Sequence, residues 1–402
     1  MKTIVEINGI NYGSTGKMAI SVAEEARKQG YDVYSFFRNS REGKKRLKDN
    51  QFLIGTWLDK IISERLAFIT GLNGYFNIVN TFIFLKELDT IKPDLIHLHA
   101  LCDNYLNINM LFRYIEKHSI PVVWTFHDSW AFTGRCAQFK CEKWESGCGH
   151  CPYLDIYPYS LIFDPSDRVW KKRNKLYNKL DNLTIVTPSQ WLAGLTLKSF
   201  FKNKYPIITI NNGINLDIFK PCAKDFRIKH NIQHKFILLG VSYGWSIPKG
   251  LDTFIRLSKE LPKHFQIVLV GGNSETDKII PDNIISIHRT HNQEELAEIY
   301  SSADLFVNPT VDDNFPTVNI EALACGLPVL TYATGGSAEI IDESCGNYVE
   351  TGDYDSLKKE IIRIGKDRPY TKKACLKRAE SFNMEDKFNE YVDLYSKILS
   401  KQ

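Results

Sequence analysis

Nowhere does this 402-residue chain offer an uninterrupted apolar run of the roughly 20 residues that a membrane-spanning helix needs. The one candidate of that length, residues 67–85, carries no charge but is broken by Gly71, Asn73, Gly74, Asn77 and Asn80, so spanning is not expected. No positively charged lead with an apolar core opens the chain. Glu6 already interrupts the first apolar run, so a secretory leader is not expected and the cytoplasm is the expected place. Strong charge of one sign is missing too: 51 Lys and Arg against 47 Asp and Glu leave +4, too mild to indicate nucleic acid as a partner. Such a balance still permits weak attraction to anionic lipid or to a phosphorylated ligand. There are no internal repeats or low-complexity tracts. The nine cysteines are odd in number and lack an export context, which argues against a disulfide framework. What is there, 43% hydrophobic and 24% charged residues over this length, suits a globular chain with two domains, each with its own core.

The chemistry concentrates in residues 311–341, VDDNFPTVNIEALACGLPVLTYATGGSAEII. A strand-length apolar run, 304–309, leads into it. Pro316 favours an extended residue before it and fits the first turn of a helix, which predicts a helix over 317–324. The amides of Phe315, Thr317 and Val318 then point outward at a helix N-terminus, a site for phosphate or diphosphate. Asp313, in the approach loop, and Glu321, past the first turn, can face the same crevice. Phosphate charge alone does not call for two carboxylates, but carboxylates accept paired hydrogen bonds from neighbouring hydroxyls. A ligand with both phosphate and sugar parts fits. For an isolated D-x7-E the plain alternative is a turn whose acids only cap and solvate the helix.

With its trailing EALACGLPV and TGGSAEII, the segment from Asp313 resembles the E-x7-E region of the family-4 retaining glycosyltransferases, enzymes of the GT-B fold. That resemblance implies an α/β chain with two Rossmann-like doubly wound parallel-sheet domains facing each other across a cleft. It implies a nucleotide-sugar donor, contacted by Asn314, Phe315, Pro316, Thr317, Val318 and Glu321, with Asp313 and Glu321 in catalytic roles. Asp313 stands where the family usually has Glu and reaches about one methylene less far. The family often pairs a lysine like Lys249 with an arginine six residues earlier; Tyr243 holds that place here.

In chain order, residues 2–8 read as a strand, followed by GINYGSTGKMA and a helix over about 15–29. Glycines there let backbone amides approach an anion. The pattern is neither a Walker A loop nor GxGxxG, because Asn11 replaces the first glycine, and a structural turn is the default reading. By the resemblance, Gly13, Ser14 and Gly16 face the donor phosphates. A basic loop (Arg41, Lys44, Lys45, Arg46, Lys48) leads into residues 57–88, where Trp57, Leu58, Ile61, Ile62, Leu66 and Phe68 recur at helical spacing. Core packing is the default for that stripe, a membrane-facing patch the alternative. Buried-type strands over 94–100 and 121–126, with a helix between, imply a parallel sheet. His127 follows the second strand, where ligands of open α/β sheets bind. The family has a histidine at the corresponding place contacting the transferred sugar, and His127 matches it better than His97 or His99.

Cys136, Cys141, Cys148 and Cys151 fall within 16 positions and end in C-x2-C. Four thiolates so spaced suit structural zinc, with His150 as a substitute ligand; redox-active or free thiols are the alternative. In the second half, residues 236–242 form a strand and Lys249-Gly250 opens a helix, which sets a cation beside a second helix N-terminus. By resemblance Arg289 lies against the nucleotide base. Domains are expected over 1–205 (acceptor side, with a Cys-rich insertion near 136–151) and 206–382 (nucleotide-sugar side), with 383–402 a helix crossing back onto the first. The expected activity is retaining transfer of a sugar from a UDP- or GDP-sugar to a carbohydrate acceptor, lipid-linked, in surface polysaccharide assembly. Enzyme and acceptor would then meet peripherally on the inner membrane face. Leaving-group stabilisation by Lys249 and helix amides requires no catalytic metal. A nucleotide-sugar 2-epimerase of the same fold and a non-catalytic nucleotide-sugar binder are the alternatives.

Overall fold

The computed structural model describes residues 1–138, 141–222 and 225–401. They fall into two compact units, Met1–Ile210 with Phe388–Gln402, and Asn211–Lys387. In the first unit lie strands β1 (Thr3–Asn8), β2 (Asp32–Arg38), β3 (Gln51–Ile54), β4 (Leu95–Leu98), β5 (Val122–Thr125), β6 (Leu183–Thr187) and β7 (Ile207–Thr209), in spatial order β3-β2-β1-β4-β5-β6-β7. In the second lie β8 (Phe236–Val241), β9 (Phe265–Val270), β10 (Ile284–Ile287), β11 (Leu305–Asn308), β12 (Val329–Tyr332) and β13 (Gly346–Val349), ordered β10-β9-β8-β11-β12-β13. Every pairing in both sheets is parallel. Covered on both faces by helices, central strands such as β4, β5 and β11 are buried at every position, which is why they read as mostly apolar runs without alternation. Strand order reverses at β1/β4 and again at β8/β11. These are the points where loops diverge and leave a crevice at the carboxyl ends.

The apolar stripe that begins at Trp57 departs from its default reading. Residues 57–88 form two helices, Trp57–Thr70 and Ile78–Ile91, because Gly71, Gly74 and Asn77 adopt left-handed backbone and break the run between them. Core packing does not account for the first helix. Only Ser63 and Ala67 of its residues are buried, while Trp57 is 68% and Leu58 61% exposed. The basic loop holds a short helix, Arg41–Lys45, before β3, whose four residues gave no separate signal.

The C-terminal helix Met384–Leu399 buries Tyr391, Val392 and Tyr395. From Phe388 onward it belongs to the first unit, where Tyr391 lies 3.4 Å from the Thr125 hydroxyl and Tyr395 2.6 Å from His97 Nδ1.

Candidate active site

In the second unit the helix Thr317–Ala324 occupies the predicted residues, with extended Pro316 at its N-cap and no side chain capping it. Two segments converge at this N-terminus because β8 and β11 are neighbours. Beyond β8, the turn Ile247–Lys249 is pinned to the β11 exit by hydrogen bonds from Val311 N (2.9 Å) and Thr310 Oγ1 (3.2 Å) to the Pro248 carbonyl. Gly250, at φ +81°, lets the turn press on Pro309; a Cβ would sit 2.4 Å from Pro309 Cγ. The consequence is that Lys249 Nζ reaches Asp313 Oδ2 at 2.9 Å and donates to the Asp312 carbonyl at 3.2 Å. Cation and acid, read separately in the sequence, form an ion pair.

From the other side the TGGS turn closes the loop. Gly336 N donates to the Asn314 carbonyl at 2.8 Å, and Gly335, at φ +56°, passes so close that a Cβ would lie 2.0 Å from the Asp313 carbonyl. Phe315 is buried in the apolar core of this unit. Glu321, half-buried, accepts from the hydroxyl of fully buried Tyr300 at 3.0 Å. Burial and the Glu321 charge together push the Tyr300 phenol well above its ordinary range, so it stays a donor. Tyr300 gave no functional signal in the sequence, since it reads as one more apolar position of the helix Gln293–Ser302. Arg289 is exposed just beyond β10, the edge strand, three strands away from β11.

In the first unit, Gly13, Ser14 and Gly16 all lie in the first turn of the helix Gly13–Lys28, whose N-cap, Tyr12, is extended and makes no side-chain cap. Gly13 and Ser14 are exposed, whereas Gly16 is buried where a Cβ would strike the Ile10 carbonyl at 2.7 Å. His127 follows β5, and its Nε2 lies 3.2 Å from His99 Nδ1. His97 shares the face of His99, as strand alternation requires, and contacts Thr125 Oγ1 at 2.8 Å. Burial holds all three imidazoles neutral, with His127 lowered to about 4 and His97 to about 3. Glu6 Oε1 lies 3.6 Å from His97 Nδ1. Among the described residues, Glu6, His97 and His99 are the one set of three or more ligating atoms within 4.8 Å of one another. Beside them, burial raises the Asp128 carboxyl to about 6. Asp103, close behind Gly9, accepts from Tyr157 at 2.7 Å and pairs with Arg38 at 3.7 Å. Cys136, Cys141, Cys148 and Cys151 all line one small cavity of this unit.

The profile of Glycosyltransferase Family 4 matches residues 15–218, half of the chain, and that of Glycosyl transferases group 1 matches residues 223–382. The chain belongs to glycosyltransferase family 4. Among relatives of this family member, a putative colanic acid biosynthesis glycosyl transferase of Escherichia coli is 25% identical over 77% of the chain and 78% of its own length. An uncharacterized glycosyltransferase of Methanocaldococcus jannaschii is 29% identical over 77% of each chain. In fold, this family-4 chain is similar to a sucrose-phosphate synthase of Thermosynechococcus elongatus (TM-score 0.72, 19% identity, all of both chains). It is also similar to the Anabaena protein HepE solved with UDP-glucose (TM-score 0.69, 14% identity, all of both chains). The two doubly wound parallel-sheet domains are those of the GT-B fold.

Proposed function

We propose that this glycosyltransferase is a retaining enzyme that moves a hexose from a nucleotide-sugar donor, a UDP- or GDP-sugar, to a lipid-linked carbohydrate acceptor in surface polysaccharide assembly. The observation that carries the reading is the Lys249–Asp313 pair beside the uncapped N-terminus of the helix Thr317–Ala324. Both side chains are part-exposed, and such a pair is worth only about 0–1 kcal/mol. A diphosphate therefore competes for Lys249 at little cost, and the exchange releases Asp313 to accept hydroxyls of the sugar. Glu321, held by Tyr300, takes the ribose hydroxyls. The departing nucleoside diphosphate is stabilised by Lys249 and the first-turn amides, preorganised groups able to supply several kcal/mol. His127, neutral, donates or accepts a hydrogen bond at the sugar, and the acceptor hydroxyl attacks from the face the leaving group vacates. A UDP-sugar is favoured over a GDP-sugar by the HepE complexes with UDP and UDP-glucose, which share the fold.

Polysaccharide assembly draws support from the colanic acid relative, and a lipid-linked acceptor from the surface of the first unit. Phe68 O accepts from Leu161 N at 2.7 Å, which joins the apolar helix Trp57–Thr70 to exposed Leu161, Ile162 and Phe163. With Phe82 and Ile83 of the next helix exposed as well, that surface suits docking into a headgroup layer. No helix among the described residues is long and apolar enough to cross a membrane.

The test is thermal stabilisation across a panel of nucleotide sugars, followed by nucleoside diphosphate release with and without a lipid-linked acceptor. Release that requires the acceptor, with an unchanged anomeric configuration in the product, is expected. Release with an epimerised sugar and no acceptor would establish the 2-epimerase reading instead.

A further inference from the structure

Between β5 and the helix Ser166–Tyr177, 40 residues (126–165) carry a single helical turn, Lys143–Glu145, among those described. Connections longer than about 12–15 residues without structure of their own are uncommon in compact domains. Yet this one is packed: Trp130, Phe132, Arg135 and Trp144 are all buried. Arg135 ties part of it by donating to the Tyr153, Leu154 and Pro158 carbonyls, and Arg173 donates to those of Trp130 and Thr133. Arg135 also donates toward the Cys151 sulfur at the far end of the cysteine cluster, and Arg173 sets its charge near Cys148.

We propose that Cys136, Cys141, Cys148 and Cys151 bind one zinc ion as four thiolates and that this ion locks the 126–165 segment onto the first unit. The four side chains, distributed over 16 positions, converge on one cavity of about 20 Å³, the scale of a single small occupant. Backbone amides are aimed at two of the sulfurs: Gly134 N lies 3.1 Å from Cys148 Sγ, and Tyr153 N–H points at Cys151 Sγ. A neutral thiol is a weak acceptor, whereas a metal-bound thiolate carries charge and uses such donors as its outer shell. The C-x2-C turn has the backbone this requires. Gly147 and Gly149 take φ near +145°, His150 takes φ +47°, and Lys143 Nζ braces the turn at the Gly149 and His150 carbonyls. Gly134 is required as well, since a Cβ there would meet Cys148 Cβ at 2.8 Å. Zinc with four thiolates carries a net charge of about −2, which Arg135, Arg173 and Lys143 around the cavity offset.

The sulfurs are not among the sets of three ligating atoms within 4.8 Å, so binding draws the side chains inward by rotation on a backbone already in place. Four protons leave as the thiols become thiolates, with no change of oxidation state. Two disulfides would lock the same loop by oxidation, and the experiment separates them.

The full chain, purified without added metal or chelator, is assayed by elemental analysis, by intact mass and by thiol titration under native and denaturing conditions. About one zinc per chain, unchanged mass, and four thiols that react only after chelation are expected. Cobalt substitution is expected to give the visible bands of a tetrahedral thiolate site, and Cys148→Ser to lose the metal while Cys222→Ser, outside the cluster, keeps it. Should Cys148→Ser fail to fold, re-addition of zinc to the chelated wild-type chain serves in its place, with a recovered Tm expected. Less than about a tenth of an equivalent of zinc with all four thiols freely reactive would overturn the proposal. A mass lower by two or four hydrogens would overturn it in favour of disulfides.

Discussion

Glu321 is half-buried, and the hydroxyl of buried Tyr300 donates to its carboxylate and helps to aim it. Hydrogen bonds to charged groups are worth about 1.5–3 kcal/mol. Glu321→Ala should therefore weaken nucleotide-sugar binding by about tenfold or more, and Tyr300→Phe by a smaller factor, both measurable by calorimetry. Wild-type donor affinity in both variants would remove Glu321 from the donor site. His127 differs, because an interaction made only in the reacting complex changes turnover and not ground-state affinity. His127→Ala should lose about two or more orders of magnitude in kcat, the size of one lost transition-state contact, while nucleoside diphosphate binding stays near wild type. Near-normal transfer by that variant would make His127 a structural residue at a strand end.

Among the elements, the loop from Pro309 to Pro316 is shaped by glycines that belong to other segments. Gly250 clears Pro309, and Gly335 clears the Asp313 carbonyl. A side chain at Gly335 meets both a left-handed backbone and a contact of 2.0 Å, and must displace Asp313 or unwind the turn. Gly335→Ala should cost about 1–3 kcal/mol of stability, read from chemical denaturation, and weaken donor binding along with it. If stability falls but donor affinity stays unchanged, the position of Asp313 does not govern the donor. The same logic explains why GG in TGGSAEII reads as a turn signal yet acts on a residue 22 positions away.

At the scale of the molecule, buried titratable groups set the acid response. His97, His99 and His127 are held neutral in the folded chain, with His97 and His127 lowered to about 3 and 4 from an ordinary 6.5. The unfolded chain takes up protons there first, so these groups contribute stability that is lost as pH falls from about 6.5 toward 4. Glu6 and Asp128 oppose them, because burial raises both carboxyls and the folded state holds those protons longer. His99→Asn should accordingly lose less Tm between pH 7 and 5 than the wild type loses, by scanning calorimetry; an equal or larger loss would mean His99 is not held neutral. The apolar surface of the first unit makes a second global prediction. The chain should float with anionic vesicles, and the double variant Trp57→Glu, Phe82→Glu should not, with donor binding retained. Flotation of the variant at wild-type levels would count against that surface as the attachment face.

The sequence alone determined the two parallel-sheet domains, because strands covered on both faces must be apolar throughout and the helices between them must show their own period. It determined the helix over 317–324 through Pro316. Tertiary structure decided what side chains do once distant segments meet. Lys249 is 64 positions from Asp313 and Tyr300 is 21 from Glu321, and neither pairing follows from local periodicity. It likewise decided that the Trp57–Thr70 stripe faces outward. An apolar stripe at helical spacing shows that a helix has such a face, but not whether the chain supplies something to cover it.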